Sequence, residues 1–172
     1  RTSRPKTDIL YGLDEQFPIG GSKVLYQSAT DVATIVAAGI TVHEARKAYV
    51  QLKGENIHVR LIDAYSVQPI DATTLIAAGK ATNGVIITVE DHYAVGGLGD
   101  AVSEAVASAG PPQGGGGLLG VGQQLLARHR AVGAAGLGHL HPHVALGLRP
   151  APRLLEHLHL GLVAVHHAGL KQ

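Results

Sequence analysis

Three stretches of this sequence combine residue types that can do chemistry. The first is Glu90, Asp91, His92 and Tyr93, followed by Gly96, Gly97 and Gly99. A glycine-rich turn that opens a helix presents free backbone N–H groups and can receive an anion. The spacing here lacks both the full dinucleotide fingerprint and a phosphate-binding lysine, so it reads as a tight strand-to-helix turn with Glu90 and His92 hydrogen-bonded locally. The second stretch is the cationic run Arg1, Thr2, Ser3, Arg4, Pro5 and Lys6. Two guanidinium groups beside two hydroxyls can clamp a phosphate through charge-assisted hydrogen bonds. On residue types alone, the same run reads better as a solvated linker end. The third is His139, His141 and His143, which share one face if the segment is extended, with His157, His159, His166 and His167 further on. Such tracts can bind nickel, zinc or copper. No carboxylate cluster accompanies them to orient the imidazoles, so no metal site is assigned.

The elements that must position these residues alternate between strand and helix. Thr34 to Ala38 is a short apolar run of the buried-strand kind. Thr41 is expected to cap a helix over Val42 to Leu52, with Glu44 completing a capping box and Gly54 ending it. Ile57 to Ile62 forms a second strand by alternation, and Pro69 and Asp71 open a second helix over Ala72 to Ala81. The β-branched run Gly84 to Val89 is a third strand, and Gly96 to Gly99 lead into a third helix through Ala107. This order predicts a three-layer α/β/α fold with a mostly parallel sheet joined by right-handed crossovers.

The chain has 172 residues with 14 Lys plus Arg and 13 Asp plus Glu, a net charge of +1. A balance so near neutral argues against nucleic acid and anionic membranes as partners. The absence of cysteine removes disulfides, thiolate nucleophiles and cysteine-ligated zinc, and is compatible with the cytoplasm. No signal peptide is expected, because Arg1 to Lys6 lead into Asp8 and not into an apolar run. The uncharged stretch Ala105 to Ala127 is too rich in Gly, Pro and Gln for a membrane span. A chain that contains no methionine and opens on Arg1 is expected to be part of a longer polypeptide.

Residues 1–110 resemble the C-terminal third of the transketolases. The resemblance rests on RTSRP at Arg1 to Pro5, on VHEARKAYVQLKGENIHVRLIDAYSVQPID at Val42 to Asp71, and on TVEDHYAVGGLGDAVSEAV at Thr88 to Val106. It implies transfer of a two-carbon ketol unit from a ketose phosphate such as xylulose 5-phosphate to an aldose phosphate such as ribose 5-phosphate. In that family thiamine diphosphate, held with Mg²⁺ or Ca²⁺, supplies the carbanion chemistry. The cofactor sites lie in two preceding domains at a homodimer interface, so this chain alone is expected to bind no cofactor and to be inactive. The resemblance carries over one functional position, Arg4, as the sugar-phosphate ligand, with Arg1 and Ser3 in support, and so reverses the linker reading of that run. The EDHY segment and its glycine turn match as fold-forming and interface-forming parts. The generic pattern is also similar to the matching domain of deoxyxylulose-phosphate synthase and of 2-oxoacid dehydrogenase β subunits. Two other classes stay open: a non-catalytic docking subunit of a split transketolase, and a histidine-rich metal-binding protein.

The expected organisation is a linker with the end of a preceding domain over residues 1–22, a transketolase C-terminal-like domain over 23–110, and a Gly/His/Leu-rich tail over 111–172. Composition breaks sharply at Gly110. The tail holds one acidic residue, Glu156, and eight of the eleven histidines, and lacks Ser, Thr, Asp, Asn, Ile, Phe and Tyr. Such a set has few residues for caps, turns or strands, and the tail is expected to be irregular or partly helical. Two origins fit it: translation in a shifted reading frame, or a genuine lineage-specific extension.

Overall fold

A computed structural model of the chain describes residues 7–92, 95–108 and 118–119. The histidine tract, Glu156 and the rest of the tail lie outside the described residues. Strands β1 (Lys23–Tyr26), β2 (Ala33–Ala37), β3 (Val59–Asp63), β4 (Ile86–Val89) and β5 (Leu118–Leu119) alternate with helices α1 (Ile40–Gly54), α2 (Ala72–Ala81) and α3 (Leu98–Ala107) after β2. They form one sheet in the order β1-β3-β2-β4-β5. The pairs β2–β3, β2–β4 and β4–β5 are parallel, and β1 runs antiparallel along the edge.

Period-two alternation sorts the core into two layers. Ile35, Leu61 and Ile87 face α1 through Val42, Ala45 and Leu52. Their sequence neighbours Val36, Ile62 and Ile86 face α2 and α3 through Leu75, Ala78, Leu98 and Val102. From β2 the chain steps one way to β3 and then back past β2 to β4. With crossovers of one hand, that reversal puts α1 on one face and α2 and α3 on the other. The expected α/β/α sandwich with a mostly parallel sheet is therefore the observed fold. Because both faces are covered, every residue of β2 and β4 is buried.

The capping box at Thr41 does not form. Helix α1 begins two residues earlier, with Gly39 at its N-cap at φ 62° and no side-chain cap. Thr41 Oγ1 instead accepts the Ala38 N–H at 3.2 Å and donates to the Val89 carbonyl at 2.7 Å, which pins the helix start to the end of β4. Glu44, freed from the cap, pairs with Lys47 at 2.9 Å. By contrast α2 has the expected bounds, and Asp71 accepts the Thr74 N–H at 3.0 Å.

Two strands add to the three expected. β1 is a short, half-exposed edge strand whose pairing with β3 shifts register between Val24 and Tyr26. Leu118 and Leu119, in a run suggestive of helix, pair with Ile86 and Ile87 as β5. Residues 7–22, expected as a linker, lie against the domain: Leu10 packs on the α1-side core, and the Gly20 N–H donates to Ser66 Oγ at 2.9 Å. Among the described residues, no helix is long and apolar enough to cross a membrane.

Candidate functional site

Open α/β sheets bind ligands outside the carboxyl ends of their strands, where connections from adjacent strands leave for opposite faces. In this sheet β2 is that point, since its connection goes to one face and those of β3 and β4 go to the other. Each neighbour of β2 ends in a buried carboxylate, Asp63 on β3 and Glu90 just beyond β4.

Glu90 sits beneath the start of α3. Its carboxylate accepts the Leu98 N–H at 2.5 Å and the Gly99 N–H at 3.2 Å, while the Gly96 N–H donates to Asp100 at 2.6 Å. The glycines follow from this arrangement. A Cβ at Gly97 would run into the Glu90 carboxylate and lie 3.1 Å from His92 Nδ1, and one at Gly99 would lie 2.9 Å from Glu90 Oε1. Gly96 adopts φ 76°, which disfavours side chains with a Cβ. The Leu98 and Gly99 N–H groups, which this helix N-terminus could offer to a phosphate, are already committed to Glu90. The tight-turn reading of this motif, with Glu90 hydrogen-bonded locally, accords with the structure.

Asp63 lies in a different setting. Its Oδ2 accepts the Tyr11 hydroxyl at 2.6 Å, and its buried Oδ1 has no hydrogen-bond partner among the described residues. Burial pushes the carboxyl above its ordinary range; the Tyr11 hydrogen bond and the charge of His43 only partly oppose this. The same burial, with the adjacent carboxylate, pushes the Tyr11 phenol upward. Tyr11, Asp63 and His43 share a cleft of about 340 Å³ with Thr7, Asp8, Leu10, Gly39 and Ile40. One wall is therefore the N-terminal segment, the other the β2–α1 turn, and Asp63 forms the floor.

Arg1, Ser3 and Arg4, the residues expected to bind a sugar phosphate, precede the first described residue, Thr7. Thr7 itself lines the cleft. Reading by spacing missed Tyr11, His43 and Asp63. The available signal was an apolar strand that ends on a carboxylate, IHVRLID, at the edge of the sheet where ligands bind. Among the described residues, no group of three or more His, Cys, Asp or Glu side chains could hold a metal ion.

A family model described as transketolase, C-terminal domain, matches residues 22–122. Transketolase-like protein 1 of Bos taurus is 55% identical over 106 residues, and transketolase-like protein 2 of Mus musculus is 50% identical over the same length. Transketolase of Homo sapiens is 45% identical over 106 residues. Each match covers 62% of this chain but only 17% or 18% of the relative, so the chain spans less than a fifth of the length of these proteins. Among solved structures, a split-gene transketolase, an inactive β4 tetramer, superposes with a TM-score of 0.61 at 28% identity, covering 94% of this chain and 45% of that one. A match across more than half of the chain, over the sheet and helices described above, makes this chain a member of the transketolase C-terminal domain family.

Proposed function

We propose that the chain is the C-terminal part of a transketolase, acting in an enzyme that moves a two-carbon ketol unit from a ketose phosphate to an aldose phosphate of the pentose phosphate pathway. Thiamine diphosphate, with Mg²⁺ or Ca²⁺, supplies the carbanion chemistry when bound by the other domains of that enzyme. The contribution of this chain is to bind and orient. Arg4 grips the terminal phosphate of the sugar, since a planar guanidinium presents paired donors to two phosphate oxygens, and Arg1 and Ser3 support it. The α/β domain follows that run in the chain and stabilises a cytoplasmic homodimer, or pairs with a separate cofactor-binding half. The observation that carries this reading is the family match over residues 22–122, with 45% identity to a human transketolase across 106 residues. The likeness to a split-gene transketolase favours the second assembly, with this chain as a subunit that docks on a cofactor-binding polypeptide.

The test is an Arg4→Ala variant assayed in the assembled enzyme. With ribose 5-phosphate as acceptor, the lost charge-assisted contacts should lower kcat/KM by about 10- to 100-fold, the equivalent of roughly 1.5–3 kcal/mol. An unphosphorylated aldose should show no such loss. Equal losses with both acceptors would remove Arg4 from the phosphate site.

A further inference from the structure

Two polar features of the cleft at the end of β2 have no partner among the described residues. The first is the start of α1. The leading N–H groups of a helix find no acceptor inside it and must be met from elsewhere. Here the Val42 N–H turns back to the Gly39 carbonyl at 3.2 Å, but no side chain caps the helix and its first turn holds no acidic residue. Among the described residues the Ile40 N–H meets no acceptor. At α3 the corresponding groups are taken by Glu90. Gly39 and Ile40 both line the cleft, and a Cβ at Gly39 would meet nothing within 4 Å, so space lies open over this helix start.

The second feature is Asp63. It is 6% exposed, and its Oδ1 has no partner among the described residues. A buried carboxylate met on one oxygen alone is costly, and a cation brought against the other oxygen offsets that cost. Asp8 lines the same cleft from an exposed position and adds a second negative charge. No group of three metal-ligating side chains forms among the described residues, so the chemistry suited to these two carboxylates is an ammonium, which brings its own donors.

The cleft therefore joins a pole that accepts to a pole that donates. Asp63 pairs in register with Ala37, two residues before Gly39, and neighbouring strands lie about 4.8 Å apart, so one small molecule reaches both poles. His43, on the first turns of α1, also lines the cleft and adds a donor on the anion side. Leu10 and Ile40 supply apolar wall. A volume of about 340 Å³ lies near the lower end of the range for small-molecule sites, which suits a ligand of few atoms.

We propose that this cleft binds a small aliphatic α-amino acid, with its carboxylate on the start of α1 and His43, and its ammonium on Asp63 and Asp8. The site uses neither Arg4 nor ketol transfer, so it stands or falls apart from the function proposed above.

The experiment is calorimetric titration of the full chain at pH 7 with L-valine, with isobutylamine, which lacks the carboxylate, and with isovalerate, which lacks the ammonium. L-Valine should bind with a Kd below about 1 mM, and each analogue at least about tenfold more weakly, because each loses one set of charge-assisted hydrogen bonds. Asp63→Asn, which keeps an acceptor for the Tyr11 hydroxyl, should weaken L-valine by about tenfold or more and leave isovalerate unchanged. Absence of binding by glycine, L-alanine, L-valine and L-leucine up to about 10 mM would overturn the proposal. So would isovalerate or isobutylamine binding as tightly as L-valine, or an Asp63→Asn chain that binds L-valine like the wild type. Should Asp63→Asn not fold, Asp8→Lys at the exposed position decides the matter: it should weaken L-valine by about threefold or more relative to isovalerate, and equal effects on both ligands would overturn the proposal.

Discussion

Two buried carboxylates flank β2 at one edge of the sheet, and their surroundings set them apart. Glu90 takes two backbone N–H groups at a helix start, where an anion is at home. Any side chain at Gly97 displaces it, so Gly97→Ala should cost about 1–3 kcal/mol of stability by overpacking, readable from urea denaturation midpoints. Asp63 has one partner and an orphan oxygen. Its carboxyl is raised by burial from the ordinary 3.8, so the fold favours the protonated form. Stability from this group is then full below about pH 4 and lost as pH rises through the raised value. Asp63→Asn removes that dependence. Melting temperatures measured between pH 4 and 8 should show the wild type losing ground to the variant as pH increases, and parallel curves would contradict the assignment.

At the scale of elements, α2 depends on a single cap. Asp71 accepts from Thr74 and also from Ser22, so one side chain caps the start of a helix and fastens the N-terminal segment. Burial tends to raise its carboxyl, but the hydrogen bonds from Thr74 and Ser22 outweigh this and hold it below the ordinary range. The sign is opposite to that of Asp63: this contribution is present above pH 4 and is lost as pH falls through the lowered value. Asp71→Ala should destabilise by about 0.5–2 kcal/mol at neutral pH, with the difference shrinking in acid, as checked by thermal melts at pH 7 and pH 3. This helix was also the most legible element in the sequence. Its proline, its capping aspartate and its apolar spacing are all local, and the observed bounds are those the pattern predicts. The start of α1 was not legible, because Thr41 bonds to the Val89 carbonyl, a strand end that lies 48 residues away. β1 has four residues on a half-exposed edge, too few for alternation to register. The Tyr11–Asp63 pair spans 52 residues and follows no spacing rule, so only the folded chain brings it together.

At the scale of the whole molecule, the sheet, its two-sided cover and the family match describe a transketolase C-terminal-type domain, and the proposed function has its site completed by other domains. Thr7, the first described residue after the cationic run, lines the cleft beside Asp63, and among the described residues the glycine-rich helix start is occupied by the Glu90 carboxylate. In the proposed function the carbanion chemistry comes from thiamine diphosphate held by the other domains. The most direct measurement is ketol transfer from xylulose 5-phosphate to ribose 5-phosphate, with thiamine diphosphate and Mg²⁺, for this chain, for a polypeptide that carries the cofactor-binding domains, and for the two mixed. Transfer is expected in the mixture alone, rising to saturation as this chain is added. Activity of the mixture no greater than that of the cofactor-binding polypeptide by itself, or transfer by this chain alone, would contradict it.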